Sequence, residues 1–197
     1  MQSETPSTTR TGMRERILEA TNGVFYAHGI RATSADRIIE QVGITKVTFY
    51  RHFPSKSDLV VAYLEVQAAR EQAWFTGVRV AGDPRASLRA IAEGIGAASC
   101  SPGFRGCAFI NAAAEFSDPD DPVRGVIARH RRWMLDEFTS IAAEAGVEDA
   151  EAAGRRLMML RDGAMVNGYL GDAASVADAL WPSFDAVLAT ASKRREA

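Results

Sequence analysis

The most constraining feature of this 197-residue sequence is a glycine, Gly43, set between two short runs of helical periodicity. Before it, Thr33 opens a run in which Ile38, Ile39 and Val42 share one face. The Thr33 hydroxyl is placed to accept from the backbone N–H near Asp36, whose carboxylate also favours a helix start. After it, Thr45 caps a run that reaches about His52 and ends at Pro54, which removes a donor and restricts Phe53. Glycine allows a positive φ without a Cβ clash, so the reversal can be as tight as a helix-turn-helix requires. Upstream, Met13–His28 places Ile17, Leu18, Thr21, Val24, Phe25 and His28 on one stripe and stops at Gly29. Downstream, Ser55 and Asp58 form a capping-box-like start to a long fourth helix running to about Val80.

On a wheel of about 100° per residue, Phe49 and Phe53 share a face that should be buried against Ile17, Ile38 and Val42. The opposite arc carries Val47, Thr48, Tyr50 and Arg51, with Lys46 on the flank in the first turn. Such an arc suits a DNA major groove. Val47 can meet a thymine methyl and Thr48 a base edge. Lys46, Tyr50, Arg51 and His52 can reach phosphates. Thr33 and Lys56 sit at helix starts, where free N–H groups also favour phosphate. The same geometry fits the surface helix of an ordinary bundle, and pattern alone leaves both readings open.

Composition narrows the classes. Hydrophobic residues make up 47% and charged residues 24%, so a sizeable core can form and disorder is not the default. The formal charge is −2, but it is unevenly spread: residues 1–60 carry +2 and the remainder −4. That asymmetry has the sign expected for a nucleic-acid-binding N-terminal region. The three histidines and the two cysteines, Cys100 and Cys107, show neither metal-ligand spacing nor a disulfide framework. No nucleophile–base pair stands out. The expectation is therefore no catalytic residues, no metal and no cofactor, although a helical enzyme remains a competing class. No apolar stretch approaches the ~20 residues a bilayer span needs, so no membrane partner is expected. Residues 1–12, rich in Ser and Thr, lack a signal-peptide core and read as a flexible polar arm on a cytoplasmic protein.

Strand signals are scarce. Beyond Asp83 the pattern is a series of helices at Pro84–Ser99, 107–116, 122–145, 149–170 and 175–192, separated by Pro, Gly and Asp breakers. The fold expected is all-α.

Residues 14–63 resemble the DNA-binding domain of the TetR family of regulators. The resemblance is carried by Gly29 to Ser34, the turn at Gly43, Thr45-Lys46, Phe49-Tyr50, His52-Phe53-Pro54 and Lys56-Ser57-Asp58-Leu59. Val47 departs from the glycine or small residue common there, and Phe49 stands where leucine is more usual. The resemblance implies that Thr33, Thr45, Lys46, Tyr50, His52 and Lys56 contact DNA; the wheel adds Val47, Thr48 and Arg51. It also implies three regions: the arm at 1–12, a helix-turn-helix domain at 13–59, and a helical ligand-binding and dimerisation domain at 60–197. The partners implied are a palindromic double-stranded operator, a second copy of the chain and a small-molecule effector.

The C-terminal three-quarters carry no catalytic motif. The last two helices mix small residues (Ala164, Gly168, Ala179, Ala186) with large apolar ones (Leu157, Leu160, Leu180, Phe184), a combination that suits either a twofold helical interface or an internal core. Pliable methionines, aromatics and isolated polar residues suit an adaptable pocket. The expected ligand residues are Trp74, Phe104, Cys107, Phe109, Asn111, Phe116, Trp133, Met134, Met158, Arg161, Asp162 and Met165, with ordinary core as the alternative for most of them. The run Gly103 to Asn111 resembles a segment of one TetR subgroup, in which a Gly-Cys pair leads into a short central helix. Cys107 could there sense oxidants or electrophiles, with Cys100 as a resolving thiol, if it is exposed and acidic. The resulting expectation is a repressor released by a small molecule. The alternatives are a thiol-based sensor, a helical enzyme, or an interaction module that has lost DNA binding.

Overall fold

The computed structural model of the chain describes residues 12–189. The expected N-terminal arm, Gly12 apart, and residues 190–192 of the expected last helix lie outside the described residues. Among the described residues there are nine helices and no strand. They are α1 (Met13–His28), α2 (Ala35–Val42), α3 (Lys46–His52), α4 (Lys56–Val78), α5 (Pro84–Ser99), α6 (Ala108–Glu115), α7 (Pro122–Glu144), α8 (Ala150–Leu170) and α9 (Ser175–Ala189). None is long and apolar enough to cross a membrane.

The helix ends follow their sequence signals. Ser55 and Asp58 close a reciprocal box at the start of α4: the Ser55 N–H donates to the Asp58 carboxylate at 2.9 Å, and the Asp58 N–H donates to the Ser55 hydroxyl at 3.1 Å. Asp83, Asp121 and Asp149 cap α5, α7 and α8, the first two just before a proline at N1. Gly43 ends α2 at φ 71°, ψ 43°, the left-handed conformation the tight turn requires.

The chain divides into two compact units, with the boundary in the sequence between Tyr63 and Leu64, within α4. In the first unit, Ile17, Phe25, Ile38, Phe49, Phe53 and Leu59 are buried, and Phe25 meets the Tyr63 ring edge-on at 5.5 Å. Val42 is only half-buried. Burying each such side chain contributes about 1.5–3 kcal/mol.

In the second unit α7 packs along α8, and α5 along α9. A chain of edge-on rings runs through its core: Phe75 to Phe138 at 5.6 Å, then Phe138 to Phe184 at 5.8 Å.

Candidate nucleic-acid interface and ligand cavity

The helix-turn-helix is built from behind. Phe49 and Phe53 are buried on the inner face of α3, with ring centroids 6.1 Å apart. Thr45 caps the helix by accepting from the Thr48 N–H at 3.1 Å, and the two threonine hydroxyls share a hydrogen bond at 3.0 Å. The outer face then presents Val47, which is 79% exposed. An apolar side chain so exposed in the first turn of a short helix has little of its own unit to pack on.

Tyr50 and Arg51 are exposed beside it, the Tyr50 ring edge-on to Phe49 at 5.2 Å. Thr48, His52 and Lys56 are half-buried. Lys46 is exposed, and its ammonium reaches back to Asp36 of α2 at 2.8 Å. The hydrogen bond to that carboxylate and the charge of Asp36 hold the Lys46 pKa above its ordinary value.

Thr33 departs from the expectation. It is fully buried, and its hydroxyl donates to the Gly29 carbonyl at 2.8 Å. The cap of α2 is Ser34, whose hydroxyl accepts from the Arg37 N–H at 3.2 Å. Of two adjacent hydroxyl residues, packing takes the first into the loop that follows α1. The Thr33 side chain therefore cannot reach a phosphate, and its role is to fix that loop.

The second unit holds a partly open cavity of about 250 Å³ among α4, α5, α7 and α8. Trp74, Met134, Arg161 and Met165, all expected from the sequence, line it. Glu71, Phe75 and Phe138, together with a strip of α5 formed by Ile91, Gly94, Ile95 and Ala98, complete the wall. The α5 strip follows the i, i+3, i+4, i+7 rhythm of a single helix face, a signal that periodicity offers; that this face borders unfilled space it does not.

The remaining expected ligand residues do not line this cavity. Phe109 is buried by stacking on His130, with centroids 3.7 Å apart and planes at 12°. Trp133 packs edge-on against Phe75 at 5.5 Å. The Asn111 amide donates to the Arg105 carbonyl at 2.8 Å, which ties down the loop before α6. Phe104 packs where α8 runs close by at Gly168, and Phe116 ends α6. Met158 borders a separate groove beside Ile127 and Leu135. Cys107 is buried against the Arg161 guanidinium while Cys100 is exposed, so the burial that a sensing thiol must avoid falls on the residue expected to react first.

One end of the cavity is polar. Arg161, 4% exposed, binds the Glu71 carboxylate and reaches Asp162 at 3.2 Å. Asp162 in turn binds Arg131 at 2.7 Å. His130 Nε2 lies 2.9 Å from Glu71, although neither of its buried ring nitrogens makes a well-aligned hydrogen bond. Burial pushes the Glu71 carboxyl up, but the close approach of His130 and the charge of Arg161 outweigh it, so Glu71 titrates below its ordinary value. Burial lowers the Arg161 pKa, and the Cys107 and Glu71 contacts overturn that and hold it above its ordinary value. Among the described residues no cluster of His, Cys, Asp or Glu could hold a metal ion.

Known proteins resemble the chain at both levels. Residues 17–63 match the sequence family described as bacterial regulatory proteins, tetR family. A TetR-family transcriptional regulator from Streptomyces coelicolor is 42% identical, covers 91% of this chain with 95% of its own, and superposes with a TM-score of 0.87. A TetR-type regulator from Streptomyces avermitilis is 25% identical over 92% of this chain and 99% of its own, with a TM-score of 0.82. The HTH-type transcriptional activator FasR of Mycolicibacterium smegmatis is 32% identical over 90 residues. That match takes in 43% of this chain and 39% of FasR.

Proposed function

Because the chain belongs to the TetR family of DNA-binding transcriptional regulators, we propose that it is a homodimeric repressor released from a palindromic operator by a small molecule. The observation that carries the DNA half is α3. Two buried phenylalanines fix its orientation, and Val47, Tyr50 and Arg51 stand exposed on its outer side. In this reading Val47 and Thr48 read base edges. Thr45, Lys46, Tyr50, Arg51, His52 and Lys56 hold the backbone.

A second copy fits α8 and α9. Met159 and Leu170 on α8 are 73% and 74% exposed, and Met159 lines a groove between α8 and α9 together with Gly163, Ala164 and Ala179. Small residues allow close helix approach and the large ones supply apolar area. Twofold pairing would present two α3 helices to the two half-sites of a palindrome.

The cavity supports the effector half. α4 begins beside α3 in the sequence and contributes Glu71, Trp74 and Phe75 to the cavity wall. A ligand that shifts those side chains acts on the helix whose first turn holds Lys56. To release DNA it must bind one conformation better than the other, and a coupling of about 1–3 kcal/mol changes DNA affinity roughly 5- to 150-fold.

Selection of bound duplexes from a random pool, followed by a promoter fusion carrying the selected site, tests the reading. A palindromic consensus and a promoter silenced by the protein are expected. An indifferent duplex preference would overturn DNA reading; a promoter switched on would overturn repression alone.

A further inference from the structure

The polar end of the cavity limits what can enter it. On the cavity wall the Arg161 guanidinium meets the Glu71 carboxylate, and behind them Asp162 joins Arg161 to Arg131, so each charge at this end already has its counter-charge. A carboxylate entering here would find the Arg161 charge already matched and the Glu71 carboxylate on the same wall. An ammonium would meet Glu71 but lie against Arg161. Either would bury a charge without a counter-charge of its own, which costs far more than burying a neutral polar group.

Glu71 nevertheless keeps acceptor capacity, because a carboxylate offers about four lone-pair sites and the neighbours that approach it here are Arg161 and His130. Arg161 carries five N–H donors. A hydroxyl group is the smallest group that can give to the first and take from the second.

The remaining wall is apolar and flat-sided. Phe75, Phe138, Met134 and Met165 offer ring faces and polarisable sulfur. Trp74 is 37% exposed while lining the cavity, so it stands between the interior and solvent. Its indole rests on Gly94, where an added Cβ would come within 2.5 Å of Cζ2. The volume of about 250 Å³ falls below the roughly 300–1,000 Å³ of drug-sized pockets, which favours one or two rings.

We propose that the cavity takes an uncharged, flat, mainly apolar molecule of one or two rings whose single hydroxyl donates to Glu71 and accepts from Arg161, with Trp74 as the movable wall. This rests on the reading of the cavity as the effector site.

Four probes with one ring system test it by calorimetry on the full-length protein at pH 7: 2-naphthol, naphthalene, 2-naphthoate and 2-naphthylmethylammonium. The naphthol is expected to bind at least tenfold tighter than either ion and several-fold tighter than naphthalene. Glu71→Gln, which removes the carboxylate that matches Arg161 on the cavity wall, is expected to raise naphthoate affinity at least tenfold. Gly94→Ala, which displaces the Trp74 ring, is expected to weaken the naphthol several-fold. An ion binding as well as the naphthol in the native protein would overturn the ligand class and leave the effector site standing. Failure of all four probes would overturn both.

Discussion

Single side chains carry the most direct predictions. Lys46 is exposed but spends its charge on Asp36, so a phosphate must compete with that carboxylate. Lys46→Ala is expected to weaken binding to every duplex and to reduce the slope of log affinity against log salt by about one. Asp36→Asn, which frees the ammonium, is expected to tighten binding at low salt. A salt titration of both variants checks the pair, and unchanged slopes would remove Lys46 from the interface. Val47 is the residue to test for base reading. Val47→Ala, or uracil in place of thymine at the contacted position, is expected to cost about 1 kcal/mol, read as a several-fold loss of affinity at that base alone. Glu71 sets a pH limit. Its folded carboxyl titrates below the ordinary 4.5, so it contributes stability that is present above that value and is lost as pH falls through the lower folded one. The melting temperature of Glu71→Gln should lie below that of the native protein at neutral pH, and the gap should close in acid. Thr33 marks the limit of legibility at this scale. Thr33 and Ser34 offer the same hydroxyl chemistry one residue apart, and only the packed loop decides that Thr33 is the one buried.

Among elements, the α2–α3 hinge is the part most exposed to small changes. Gly43→Ala forces a Cβ into the left-handed region and is expected to cost about 1–2 kcal/mol. Phe49→Ala, which empties a fully buried site, is expected to cost about 3–5 kcal/mol and to abolish operator binding, because α3 then loses the anchor that aims it. Thermal denaturation followed by circular dichroism reads both. The helices themselves were legible because their ends carry specific chemistry, as at Ser55/Asp58, Asp83-Pro84 and Asp121-Pro122. The cavity was not. Met158 and Met165 lie on one helix seven residues apart, yet one borders a separate groove and the other the cavity. Phe109 and His130 belong to different helices and meet as a stacked pair. Those outcomes depend on how four helices face one another, and periodicity within one helix does not contain that information.

For the molecule as a whole, the question is how many copies make the working unit. Replacing Met159 and Leu170 together by glutamate puts charge on the exposed α8 stripe. The expected result is a well-folded monomer by sedimentation with operator affinity reduced by at least tenfold, and an unchanged sedimentation coefficient would place the contact elsewhere. The stripe also bears on gene dosage. If the operator reader exists only when two such surfaces have met, then at abundances below the pairing constant its amount grows with the square of chain concentration. Doubling expression would then raise occupancy of a mostly empty promoter about fourfold, so a cell could sharpen its response through the number of chains it makes as well as through the effector it encounters.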